Sequence, residues 1–191
     1  MKKQMHWVRT LVAGLALAAS LPSAMATVLT FDDLDDGLVP VNYGGLDWSA
    51  AGWTVFSTPA APYTASSGNG RVTNDFMAND ASSTIRFANA SVFEGAYFSG
   101  LGGAVLSFQL MLNGQTIFTS ASLDPSATPT FLASGYAGLV DTVVVTSANH
   151  GEFVMDDFKF TQPVPEPETY ALLLPGLLLV GGMVRRRKSH A

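Results

Sequence analysis

Leu106-Ser107-Phe108-Gln109-Leu110-Met111-Leu112-Asn113-Gly114 alternates apolar and polar side chains and then stops at a dipeptide suited to positive φ angles. Alternation with a period of two places Leu106, Phe108, Leu110 and Leu112 on one face of a strand, the face that lines a core. Asn-Gly fits both central positions of a type I′ turn, whose twist matches that of a right-handed hairpin. The stretch therefore predicts a strand over Ala104–Leu112, a tight turn, and a return strand over Gln115–Ser122.

Working outward, short runs of β-branched and aromatic residues recur between turn signals, with no long segment of helical period. Further strands are expected over Val28–Phe31, Trp53–Ser57, Ser83–Phe87, Thr130–Ala133, Thr142–Thr146 and Glu152–Phe160. About eight short strands, each sheet with one apolar face to hide, close most economically as two packed layers. The expected fold is an all-β, jelly-roll-like antiparallel β-sandwich flanked by an N-terminal signal helix and a C-terminal hydrophobic helix. No internal repeat points to a solenoid.

The ends of the chain read as addresses. Lys2, Lys3 and Arg9 precede an apolar run from Leu11 to Leu21, and Ala24-Met25-Ala26 follows with small side chains at the two positions a signal peptidase reads. Cleavage is expected after Ala26, because the apolar run is about half of the ~20 residues a spanning helix needs. At the other end Val164-Pro165-Glu166-Pro167-Glu168 leads into the apolar stretch Tyr170 to Val184 and then into Arg185-Arg186-Arg187-Lys188. Prolines keep the first part extended, the Leu-rich part suits a bilayer, and the basic part stays cytoplasmic by the positive-inside rule. This three-part tail resembles the PEP-CTERM sorting signal over about the last thirty residues. The resemblance implies recognition by an inner-membrane exosortase and an exported chain whose tail is consumed. The expected division is a signal peptide at 1–26, a sandwich at 27–163 and a sorting tail at 164–191.

Setting those ends aside changes the charge. The full chain has ten basic and fifteen acidic residues, but only Arg71, Arg86 and Lys159 among the basic ones fall in the middle, against thirteen acidic residues there. A formal charge of −10 on the middle repels nucleic acid and anionic lipid. The absence of cysteine excludes disulfides and thiol chemistry. His150 is the one histidine outside the ends, and Asn149 and Gly151 beside it make it a turn residue. No nucleophile elbow, zinc-binding His-Glu-x-x-His, Walker loop or dinucleotide fingerprint occurs, so a non-catalytic protein is expected. A glycoside hydrolase would need two carboxylates facing each other across a cleft.

Two groups of residues stand out as candidate sites. Alternation puts Val154, Asp156, Phe158 and Phe160 on one face, and Leu29, Phe31 and Asp33 on another. A carboxylate on an apolar face must be paired, protonated or metal-bound, and with few cations available a hard ion such as calcium is one reading of Asp33 and Asp156. The other is that these aspartates accept hydrogen bonds from turn amides or sit in solvent. Val154-Met155-Asp156-Asp157-Phe158 resembles the closing strand of extracellular jelly rolls such as MAM-type domains and carbohydrate-binding modules. That resemblance implies a shared structural calcium between the first and last strands.

The second group is Tyr43, Trp48 and Trp53, whose rings offer a glycan platform if exposed and core anchors if buried. Pro40, Tyr43, Gly45, Leu46 and Trp48 resemble a stretch that follows the first strand in other secreted PEP-CTERM proteins. Two functional readings follow from these residues: a glycan-binding or matrix-binding module partnered with exopolysaccharide, and a structural or adhesive surface protein with no small-molecule ligand.

Overall fold

The computed structural model describes residues 26–74 and 81–163. Ala24, Pro165, Glu166, Pro167, Arg185, Arg186 and Arg187 lie outside the described residues, as do both expected flanking helices. Among the described residues no helix is long and apolar enough to cross a membrane.

The regular structure described is eleven strands and one short 3₁₀ turn, and the strand pairs are antiparallel. The strands are β1 (Ala26–Leu29), β2 (Gly37–Leu38), β3 (Leu46–Asp47), β4 (Thr54–Phe56), β5 (Arg71–Thr73), β6 (Ala81–Gly100), β7 (Val105–Leu112), β8 (Gln115–Thr119), β9 (Thr130–Ala133), β10 (Leu139–Ala148) and β11 (Phe153–Thr161). The expected hairpin forms as β7 and β8, with Leu112 opposite Gln115. Asn113 at φ 52° and Gly114 at φ 76° supply the two positive angles of the turn. Leu106, Phe108 and Leu110 are fully buried, and Leu112, at the tip, is half-buried.

A Cβ on Gly114 would meet nothing within 4 Å, so its substitution tests backbone conformation alone. Gly114→Ala is expected to cost about 1–2 kcal/mol in urea denaturation through the left-handed angle alone. No loss of stability would mean that the turn relaxes to another type.

The long strand β6 organises the rest. Its first half pairs with β10 and β3, and its second half with β11 and β9, so one continuous sheet bends back and its two halves face each other as a sandwich. The ladder slips between Val140 and Thr142, where β10 moves from Ser91 to Arg86. Such an irregularity lets a strand bend from one layer to the next. Across the interior the Phe93 ring meets Phe108 edge-on at 4.8 Å and stacks on Phe158 at 4.7 Å, while Phe98 lies 5.6 Å from Phe108. These aromatic pairs join the layers; burying each ring is worth about 1.5–3 kcal/mol relative to leaving it exposed.

The closing strand departs from simple alternation. Phe153 and Met155 face the core, and so do Phe158 and Phe160, so the inward set changes parity in mid-strand. Asp157 has φ 48°, and the register against β6 shifts between Asp156 and Lys159. A left-handed residue inserted here flips every later side chain to the opposite face. Val154 and Asp156 therefore face away from Phe158 and Phe160, which corrects the expected grouping. At the start of the chain β1 stops at Leu29, and Phe31, at φ 57°, turns the backbone. Leu29 and Phe31 stay in the core while Asp33 is carried out to solvent.

Candidate functional site

The expected aromatic platform is core. Trp48 and Trp53 are 2% and 1% exposed. The Trp48 ring packs edge-on against Phe31 at 5.6 Å and against Trp53 and Phe158 at 6.0 Å, and its Nε1 donates to the Tyr43 carbonyl at 2.9 Å. Tyr43 is half-buried, lies 5.5 Å from the Phe31 ring, and donates its hydroxyl to Asp33 Oδ1 at 2.6 Å. Burial, then the bond to Asp33, raises the Tyr43 phenol above its ordinary range. The indole faces of Trp48 and Trp53 are covered, so they offer no stacking surface to a sugar.

The expected pairing of Asp33 with Asp156 does not form: Asp33 receives the Tyr43 hydroxyl, whereas Asp156 receives the backbone amides of Ser66, Ser67 and Asp157. No group of three or more His, Cys, Asp or Glu side chains among the described residues is arranged to hold a metal ion. The carboxylate that joins Asp156 beneath the same loop is Asp32, whose Oδ1 accepts from the Asn69 and Gly70 amides at 2.8 and 2.7 Å.

That loop, residues 57–70, forms a strap over the outer face of β5 and β11. Val72 and Met155 lie opposite each other and point into the core, so Arg71, Val154 and Asp156 point outward beneath the strap. The strap is fixed through its backbone. Arg71 donates from Nη1 to the carbonyls of Phe56 and Asn69, both at 3.0 Å, and from Nη2 to that of Thr58 at 2.6 Å. Ser99 donates to the Thr64 carbonyl at 2.6 Å, and Asp156 Oδ2 accepts the Ser66 and Ser67 amides at 2.7 and 2.9 Å. Gly70 closes the strap so tightly that a Cβ there would stand 2.4 Å from the Phe31 carbonyl group. Arg71 is 3% exposed and Asp156 2%, so the polar groups between strap and sheet satisfy strap backbone that would otherwise lose its water.

Burial pushes the Asp156 carboxyl up to about 7; the neighbouring Asp157 charge adds to the rise, and the Ser67, Asp157 and Ser66 amides oppose it. The folded domain holds a proton here that the unfolded chain releases near 3.8. The group's contribution to stability is therefore full below about pH 4 and is lost as pH rises through about 7. The difference in unfolding free energy between wild type and Asp156→Asn should shrink by up to about 4 kcal/mol from pH 4 to pH 8, measured by urea denaturation. A difference that instead grew with pH would show Asp156 to be an ion-paired or cation-bound carboxylate.

Beside the strap lies an open cleft of about 350 Å³, lined by Phe56, Thr58, Ala60, Tyr63, Arg71, Glu152 and Val154. A smaller pocket of about 220 Å³ shares Ala60, Tyr63 and Arg71 with it. Val55 packs in the core, so alternation along β4 turns the Phe56 ring outward, and it is 36% exposed. The half-buried Tyr63 bonds to Glu152 through its hydroxyl, and burial, then the Glu152 charge, raises its phenol. His150 Nδ1 lies 3.9 Å from Glu152 Oε2. An apolar, part-aromatic floor with a carboxylate and hydroxyls at its rim is a surface that can stack on a ring and accept hydrogen bonds from it. Tyr63 was visible in the sequence only as one scattered aromatic. Phe56 and Glu152 registered only as strand residues and Arg71 only as a charge, because the strap that unites them with Tyr63 has no periodic pattern.

Residues 163–188 match the PEP-CTERM protein-sorting motif, which spans the Pro-Glu-Pro segment and the basic cluster. No curated protein matches the chain. Eight chains of known structure do. One is a point mutant of a family 29 carbohydrate-binding module used to probe ligand recognition. It is 12% identical, with a TM-score of 0.47 over 73% of this chain and 93% of that one. Another is a second mutant of that module complexed with mannohexaose, 13% identical, with a TM-score of 0.46 over the same shares.

Proposed function

We infer that a chain carrying a PEP-CTERM sorting motif over 163–188 is exported, freed of its signal segment by signal peptidase and of its tail by an exosortase, and works at the cell surface or in its exopolysaccharide matrix. In this reading the sandwich is a non-catalytic glycan-binding module, and its site is the cleft of Phe56, Tyr63 and Glu152. The observation that carries it is an open cleft lined by the exposed Phe56, the half-buried Tyr63 and a carboxylate. Among the residues lining that cleft Glu152 is the single carboxylate, whereas glycoside hydrolysis uses a pair.

Strand order supports the same reading. Ala26 pairs with Thr161, so the two ends of the sandwich emerge side by side, next to the start of the sorting motif in sequence. Glu152 precedes the opposite end of the nine-residue β11, about 30 Å away along the strand.

The second reading, a structural or adhesive protein without a small-molecule ligand, is favoured by the burial of Trp48 and Trp53. A polysaccharide array probed with the full chain in neutral detergent separates the two. The glycan reading expects binding that falls at least tenfold in Tyr63→Ala while the melting temperature stays within a few degrees. Silence across the array would leave the structural reading.

A further inference from the structure

Resting on the glycan reading above, we propose that the cleft takes a glycan bearing free amino groups, a partly deacetylated amino-sugar polymer. Of the polar side chains in the lining, Glu152 is an acceptor only, and the Thr58 and Tyr63 hydroxyls can also accept. Glu152, 38% exposed at its side chain, has His150 and the Tyr63 hydroxyl beside it and no lysine or arginine within ion-pair distance among the described residues. Phe56 and Tyr63 line the same cleft as that carboxylate, and aromatic faces attract an ammonium group.

Arg71 is the cation in the lining, and its charge is directed inward. It is 3% exposed, its guanidinium donates to the carbonyls of Phe56, Thr58 and Asn69, and Asp36 and Asp156 both act on its charge. Its Nε has no hydrogen-bond partner, but that atom is itself buried and closed to a ligand in the cleft. An acidic sugar would thus meet Glu152 without reaching the guanidinium. The middle segment as a whole carries thirteen acidic residues against three cations, a net charge that concentrates polycations and repels uronate polymers. A neutral sugar gains the ring contact and no charge term. An amino sugar gains both.

The test uses the full chain in neutral detergent against four immobilised polymers: a glucosamine polymer, the same polymer fully N-acetylated, a neutral glucan, and a polyuronate. The expected result is about a tenfold preference for the glucosamine polymer over its acetylated form, shrinking as salt rises from 0.05 to 0.5 M, about a threefold shorter screening length. Glu152→Gln should abolish the preference, Tyr63→Ala should weaken binding to every polymer, and Asp35→Asn, which removes one charge outside the cleft, should change neither.

Equal binding to the acetylated or neutral polymer, lost in Tyr63→Ala, overturns the amino-sugar inference and leaves the glycan reading in place. Preference for the polyuronate overturns it likewise. Binding of the glucosamine polymer that falls equally in Asp35→Asn and Glu152→Gln reduces the effect to bulk charge attraction and overturns the site. Binding to none of the four overturns both readings.

Discussion

Truncating Trp48 to alanine is expected to destabilise the domain by about 3–5 kcal/mol, a large share of the 5–15 kcal/mol that holds a domain of this size together. The indole is almost wholly buried and lies at the meeting point of the Phe31, Trp53 and Phe158 rings. Removing it opens a cavity that those neighbours cannot fill without leaving their rotamers. The loss of the bond from Nε1 to the Tyr43 carbonyl also unpins the 3₁₀ turn Tyr43–Gly45. Urea denaturation followed by far-ultraviolet circular dichroism measures the effect. Trp48→Phe should recover about half of it, since the ring contacts return and the N–H does not. If Trp48→Ala kept wild-type stability and lost only ligand binding, the indole would have to stand on the surface.

Asp156→Ala is expected to cost about 2–4 kcal/mol and to loosen the strap selectively. Its carboxylate accepts three backbone amides, from Ser66, Ser67 and Asp157. A buried amide left without an acceptor costs about 1–3 kcal/mol, but a strap residue can swing out to water, so the three losses do not sum. Removal of a poorly solvated carboxylate returns part of the cost. Asp156→Asn should behave nearly as badly below pH 7, because N–H groups donate to both oxygens and the new NH₂ must face one of them. The distinguishing readout is local. Amide exchange at Ser66 and Ser67 should rise by at least tenfold more than at Val143 or Val145 in the core of β10. A uniform rise would mean that Asp156 supports the whole sandwich and does not act as the latch of the strap.

The two variants bear on different parts of the functional reading. Trp48 acts through the core and should leave the cleft intact until the domain unfolds. Release of the strap moves Ala60 and Tyr63 directly, so glycan binding in Asp156→Ala should weaken at temperatures where the core is still folded.

Much of the fold was legible residue by residue. Thr130–Ala133 forms over the expected span, and the β7–β8 hairpin turns at Asn113-Gly114 with Leu106, Phe108 and Leu110 of its expected core face buried and Leu112 half-buried. The second half of β6 was missed because Ala88, Asn89, Ala90, Gly95 and Gly100 dilute its strand signal, while β9 and β11 on its two sides supply the pairing that propensity lacks. β2 and β3 have two residues each, too few for any period to register. The candidate site was legible only in part. Asp156 was singled out from a face it does not share with Phe158 and Phe160, Asp32 and not Asp33 holds the other end of the same loop, and the aromatic rings that line the cleft are Phe56 and Tyr63, with Trp48 and Trp53 inside.

By itself the sequence determined the strand-rich class, the hairpin, the acidic charge of the middle segment and the sorting motif at the C-terminal end. Each of these is either a pattern within a few consecutive residues or a sum over composition, and neither depends on what a residue meets in space. Only the tertiary structure decided which aspartate faces the strap and which rings are covered, because the left-handed turns at Phe31 and Asp157 reset the faces of their strands. It also drew Glu152 into one cleft with Phe56 and Tyr63, about ninety residues earlier in the chain. A strand's own alternation cannot report a reversal imposed by its neighbours across the sheet.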